Sequence, residues 1–68
     1  MAAVKNYRIT VGELGSGWAA LLVADVSDET GTYTDCIDTG ISRYATREEA
    51  EQEAKSWAMS DGYLLEGV

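Results

Sequence analysis

Histidine is missing from this 68-residue chain, cysteine occurs once, and five lysines and arginines stand against twelve aspartates and glutamates, a formal net charge of −7. Each shortage removes a class of function. Without histidine, a serine or cysteine nucleophile lacks its usual base. A transition-metal site would have to be assembled from Cys36 and carboxylates, a poor ligand set for zinc. No catalytic residue, no metal and no cofactor is therefore expected, and the chain is not expected to be an enzyme. The single Cys36 forms no internal disulfide, so the usual staple of a small secreted scaffold is lacking and the cytoplasm is the expected compartment. Too few bases are present for the stripe that displaces counterions from phosphates; an acidic surface repels nucleic acid and anionic lipid alike and attracts a basic partner instead. The longest uncharged apolar run, Trp18 to Ala24, is too short to span a bilayer, and MAAVKNYR leads into no apolar stretch. Neither export nor a membrane role is expected.

What is present is the composition of a folded domain. Apolar residues make up 46% of the chain, and its aromatics (Tyr7, Trp18, Tyr33, Tyr44, Trp57, Tyr63) are spread along its length. No linker or repeat appears, so residues 1–68 read as a single domain. A chain of this size buries only roughly 60% of the surface exposed when unfolded, so its large apolar residues are needed for the core and little is left to line a deep pocket.

Tyr7, Ile9 and Val11 alternate with Arg8 and Thr10, the period of a strand with one buried face. The glycines of GELGSG permit positive φ, and residues 12–17 read as a hairpin connection. WAALLVADV has apolar residues at both parities, so this second, central strand is expected to be covered to some degree on both faces. SDETG makes the next turn and TYTDCID the third strand. A helix follows over residues 47–60. Thr46 and Glu49 form a capping box, Glu48 and Glu49 lie in the first turn where the helix dipole favours negative charge, and Gly62 is placed as the C-terminal cap. Ala50, Ala54, Trp57 and Ala58 share one face, a small-residue stripe anchored by Trp57. The expected fold is α+β: a three-stranded antiparallel β-meander with one C-terminal helix on one face, βββα, with residues 63–66 as a short fourth strand or a lid.

Two stretches invite ligand readings and fail them. GELGSG has no following lysine, contains a glutamate and leads into a strand, so it is no phosphate loop. DVSDETG lacks the ligand spacing, the distal glutamate and the flanking helices of a calcium loop. Cys36 has no neighbouring base to activate it and reads as a small apolar residue.

The acids remain. From Glu13 to Ser42 there are six carboxylates and no basic residue, and DVSDETGTYTDCIDTG alone carries Asp25, Asp28, Glu29, Asp35 and Asp38. A surface that serves solubility mixes signs, whereas a single-sign run across a hairpin and its strand sets up a local field suited to a basic partner. The segment reads as a partner-binding face.

The order βββα on a short acidic chain, with W-A-A-L-L-V-A-D-V in the central strand and T-R-E-E-A-E-Q-E-A-K-S-W-A on the helix, resembles the small phage-encoded anti-CRISPR proteins. The resemblance implies an inhibitor that binds a basic, nucleic-acid-binding surface of a Cas effector subunit in the bacterial host cytoplasm and blocks DNA recognition by acidic mimicry. In a second resemblance, Y-R-I-T-V, G-W-A-A-L-L-V, a third strand and T-R-E-E-A-E-Q-E-A are similar to the partial ribonuclease-like fold of HicB-type antitoxins, in which a threonine-capped helix with E-E-A follows three strands. That implies a partner that neutralises a small basic toxin. A phage structural or accessory module that assembles through its sheet edges is the third alternative. Monomer and homodimer are both compatible with the sequence.

Within the acidic window, Asp28, Glu29 and Asp35 are the first candidates for partner binding and Asp25 and Asp38 the next. Asp35 and Asp38 have opposite parity, so they share a face only if the strand ends or bulges between them. Glu48, Glu51 and Glu53 on the helix form the rival face.

Overall fold

The computed structural model describes residues 3–67. The element order is β1 (Ala3–Leu14), β2 (Gly17–Asp28), β3 (Gly31–Thr39), α1 (Arg47–Asp61) and β4 (Leu64–Leu65). β1, β2 and β3 form an antiparallel meander, and β4 adds to the far side of β1 in parallel, giving the order β3-β2-β1-β4. The expected α+β class and βββα order are those of the molecule. Residues 64 and 65 form the fourth strand rather than a lid, and the amide of Glu66 continues it with a 2.8 Å bond to the Ile9 carbonyl.

The first turn is tighter than the glycine pattern suggests. Gly12 pairs with Ala19 inside the ladder, and only Gly15 and Ser16 turn the chain, Gly15 at φ 61°. Gly12 serves packing: a Cβ there would stand 2.7 Å from Leu21 Cδ1, so Leu21 lies over the bare backbone. The helix begins as its cap sequence predicts. The Thr46 hydroxyl accepts from Glu49 N at 3.3 Å, and it donates to Glu49 Oε1 at 3.1 Å, so the glutamate reaches the cap's hydroxyl where the box pattern expects its amide. Gly62 ends the helix in the left-handed region at φ 77°.

α1 lies across β1 and β2, touches β4, and makes no contact with β3. Its inner stripe of Ala50, Ala54 and Ala58 packs on Ile9 and Val11 of β1 and on Ala20 and Leu22 of β2, with Trp18, Tyr44, Trp57 and Tyr63 around the border. Small helix residues bring the backbones close, so the buried volume comes from the sheet. Ile9 is the one large side chain fully buried among the described residues. Trp57 is half-buried at the border and its Nε1 donates to Asp61 Oδ2 at 3.0 Å, so it edges the core rather than anchoring its centre. The chain after β3 then straps the open end of the sheet, where Trp18 and Tyr44 exchange two backbone bonds of 2.8 Å.

Because the strands outrun the helix, the molecule has a helix-backed half and a bare half. The bare half comprises β3, the start of β1 and the end of β2, and every residue from Gly31 to Asp38 is exposed. No helix among the described residues is long and apolar enough to cross a membrane.

Candidate functional site: the acidic hairpin

The hairpin tip is Asp28-Glu29-Thr30-Gly31. Asp28 Oδ1 accepts from the amide of Thr30 at 2.8 Å and from its hydroxyl at 2.6 Å, which holds the turn closed. Those bonds, the hydroxyl first, keep the Asp28 carboxyl below the usual aspartate range. Asp28 is therefore committed on one oxygen, while Glu29 stands exposed at the tip.

Along β3, register decides which acids act together. Leu22 pairs with Asp38 and Val23 with Cys36, so Ile37 is an extra residue and the strand bulges there. Ala24 pairs with Asp35 and Val26 with Tyr33. Directly opposed residues share a face, and Leu22, Ala24 and Val26 alternate onto the helix side of β2. Asp35 and Asp38 therefore lie on that same side despite their parity. Asp28 follows Val26 at the same alternation, so Asp28, Asp35 and Asp38 belong to one surface with Glu29 at its end.

The two strand acids also blunt their own edge. Asp35 Oδ1 accepts from the amide of Cys36 at 2.9 Å, and Asp38 Oδ1 from the amide of Thr39 at 2.8 Å. The Cys36 thiol spans the bulge to the Asp38 carbonyl at 3.3 Å. Amides already taken by carboxylates do not template another strand.

Asp25 is placed differently. It pairs with Lys5 and Thr34 on the face away from the helix. There Arg8 Nη1 and Thr34 Oγ1 each donate to Asp25 Oδ1 at 3.1 Å, and Asn6 Nδ2 donates to Oδ2 at 2.9 Å. The Asn6 bond, then the Arg8 bond, hold its carboxyl below the ordinary range. Arg8 is the hub of this face: it also donates to the Asn6 carbonyl at 2.8 Å, and its Nε lies 2.8 Å from Glu66 Oε2 as an ion-pair contact without a hydrogen bond. It ties β1 to β2, β3 and the segment after β4. Asn6 sits at φ 59° where the β1–β2 register shifts, a strained position that turns its amide toward Asp25. Asp25 is thus neutralised within the fold and does not join the other four. Its partner Arg8 lies in a strand whose simple alternation gives no sign of this role.

The helix acids do not form one surface. Glu51 pairs with Arg47 at 3.0 Å, and Arg47 also reaches the Gly67 carbonyl at 2.7 Å on the β4 side. Glu53 lies on the opposite flank, its carboxylate pressed against Gly40 and beside the Tyr44 hydroxyl, which it holds above the usual tyrosine range. Glu48 is exposed in the first turn. Among the described residues, no lysine or arginine forms an ion pair with Asp28, Glu29, Asp35 or Asp38.

Sequence reasoning missed the apolar part of this surface. On the helix side of the bare half, Val4 is 40%, Tyr7 41% and Tyr33 48% exposed, around a floor of buried Ala24 and Val26. The signal was available in the alternation of Tyr33 with Asp35, but it needed the register with β2 to be read. This small α+β domain presents an acidic hairpin face with tyrosines set into it. No family model, no curated protein and no solved structure matches the chain.

Proposed function

We propose that the chain is a non-enzymatic inhibitor that docks its acidic hairpin face on a basic, nucleic-acid-binding surface of another protein. In this reading Asp28, Glu29, Asp35 and Asp38 stand where phosphates would stand and block recognition of DNA. The resemblance to anti-CRISPR proteins names the partner class: a Cas effector subunit. The observation that carries the reading is the bulge at Ile37, which gathers Asp35 and Asp38 on one side of β3 with no ion-paired base beside them. Residues on one face of a strand repeat at roughly 6.5 to 7 Å, close to the spacing of successive phosphates along one nucleic-acid strand. An uncompensated single-sign surface speeds encounter with a basic partner and selects against acidic ones.

The test is capture of partners from bacterial lysate at low and high salt, with recovered nucleases assayed for DNA binding in the presence and absence of the protein. Asp28 also holds the turn, so the informative variant reverses Glu29, Asp35 and Asp38 to lysine. Loss of capture and of DNA competition with an unchanged thermal melt supports the reading. Full activity of that variant defeats it.

A second reading keeps the partner basic and changes its class. The Thr46-capped helix with Glu48, Glu49 and Ala50 follows three strands, the arrangement that carries the likeness to HicB-type antitoxins. Co-expression with short basic reading frames distinguishes the two: an antitoxin forms a stoichiometric complex with one small basic protein and restores growth.

A further inference from the structure

Asp61-Gly62 is the one aspartyl-glycine step in the sequence. Every other aspartate is followed by a residue whose side chain crowds the next amide: Val26, Glu29, Cys36 or Thr39. An aspartyl side chain can react with that amide when nothing hinders it. The nitrogen attacks Cγ, a five-membered succinimide closes, and the carboxyl hydroxyl leaves as water with the amide proton. Water then reopens the ring. Opening at the main-chain carbonyl leaves an isoaspartyl link, in which the backbone runs through the β-carbon and is one carbon longer. One water is lost and one regained, so the change needs no oxidant, cofactor or enzyme.

In the folded chain both reacting groups are engaged elsewhere. The Gly62 amide donates to the Ala58 carbonyl with Gly62 at φ 77°, closing the helix, and the Tyr63 amide reaches the same carbonyl at 2.9 Å. The Asp61 carboxylate is turned back one helical turn, where Oδ2 accepts from Trp57 Nε1 at 3.0 Å. Attack on Cγ requires a near-attack geometry that these two bonds prevent. We infer that Asp61-Gly62 is a latent site of isoaspartate formation and that Trp57, by holding the carboxylate, keeps it closed. The surroundings make the guard necessary. Met59, Ser60, Asp61 and Gly62 are all exposed, and the last turn of α1 carries no lysine or arginine to favour its carbonyl end, so this end opens readily. A phenylalanine would fill the same half-buried border position but could not donate to Asp61. The consequence of modification lies just beyond. An extra backbone carbon breaks the cap on Ala58 and misplaces β4, whose extension bonds Glu66 N to the Ile9 carbonyl at 2.8 Å.

The test incubates the full chain at neutral pH, well below its melting temperature, beside a synthetic peptide of residues 57–66, and follows isoaspartate at residue 61 by methylation of the isoaspartyl carboxyl and by peptide mapping. The peptide should accumulate it, and the folded chain should do so roughly tenfold more slowly or less. Trp57→Phe should raise the rate in the folded chain roughly threefold. Thr46→Ala, which loosens the opposite end of the same helix, should not, and this control separates loss of the indole bond from general loosening of α1. In molecules that carry the isoaspartyl link, the Glu66 amide should lose its protection from exchange. A folded chain that reacts as fast as the peptide, a Trp57→Phe variant no faster than the wild type, or equal acceleration by Thr46→Ala overturns the guard. A peptide that forms no isoaspartate overturns the site, and a modified chain with the Glu66 amide still protected overturns the consequence for β4.

Discussion

The helix-backed half and the bare hairpin half of this molecule are held by different forces. In the first, Ile9, Val11, Ala20 and Leu22 are shut between sheet and helix, and burial supplies the stability. In the second, β3 has no layer over it and the strands are joined by polar links: Ser27 to Thr32 at 3.0 Å, Asp28 to Thr30, and the Arg8, Asp25, Thr34 and Asn6 network. Such links are exposed to water, which competes for them and screens their charges, so each contributes little. The difference separates folding from presentation. A half that buries its core elsewhere tolerates four carboxylates without paired bases, and those carboxylates are what a basic partner would meet.

Ile9→Ala removes the one large side chain fully buried among the described residues and should cost about 3 kcal/mol, most of the stability of a domain this small, by urea or thermal unfolding. Tyr33→Ala in the bare half should cost under about 1 kcal/mol; equal losses at the two sites would erase the distinction. Trp57→Ala should fall between, at about 2 kcal/mol, because the indole is half-buried at the core's border. Thr46→Ala should cost about 1 kcal/mol through the lost helix cap, with faster amide exchange confined to the first turn of α1.

Acid should loosen the bare half first. Asp25 and Asp28 both have folded pKa values below the unfolded 3.8, the first chiefly through the Asn6 bond and the second through the Thr30 hydroxyl. Their contribution is present above that unfolded value and is lost as pH falls through the lower folded values. Amide exchange across β2–β3 should therefore rise relative to α1 below about pH 4, and Asp25→Asn should flatten that dependence. The smallest effect belongs to reversal of Glu29, Asp35 and Asp38, which should shift stability by no more than about 0.5 kcal/mol each. A large loss there would mean that the hairpin is part of the fold's support rather than its display.

The helix was legible because its signals are local. Thr46 with Glu49, the alanines four apart and Gly62 each act over a single turn, and the element runs over Arg47–Asp61 against an expected 47–60. The meander was legible from period-two alternation and turn residues, although Gly12 pointed to a break where the ladder continues. Of the candidate acids, Asp28 and Glu29 could be placed at a turn from SDETG alone. The relation of Asp35 to Asp38 could be posed but not resolved, since it depends on where one extra residue is accommodated against β2.

The elements, their order, the deficit of bases and the run of acids follow from residue identity and from spacings of two to four. Which charges remain available depends instead on contacts between residues far apart in the chain. The bulge at Ile37 turns Asp38 to the side of Asp35, while Arg8, brought from 17 residues away by strand pairing, neutralises Asp25. Arg47 occupies Glu51, and the packing of α1 sets Glu53 on the other flank. A carboxylate's free energy depends on what stands within a few ångströms of it, and for residues distant in sequence only the register of the sheet and the seat of the helix establish that.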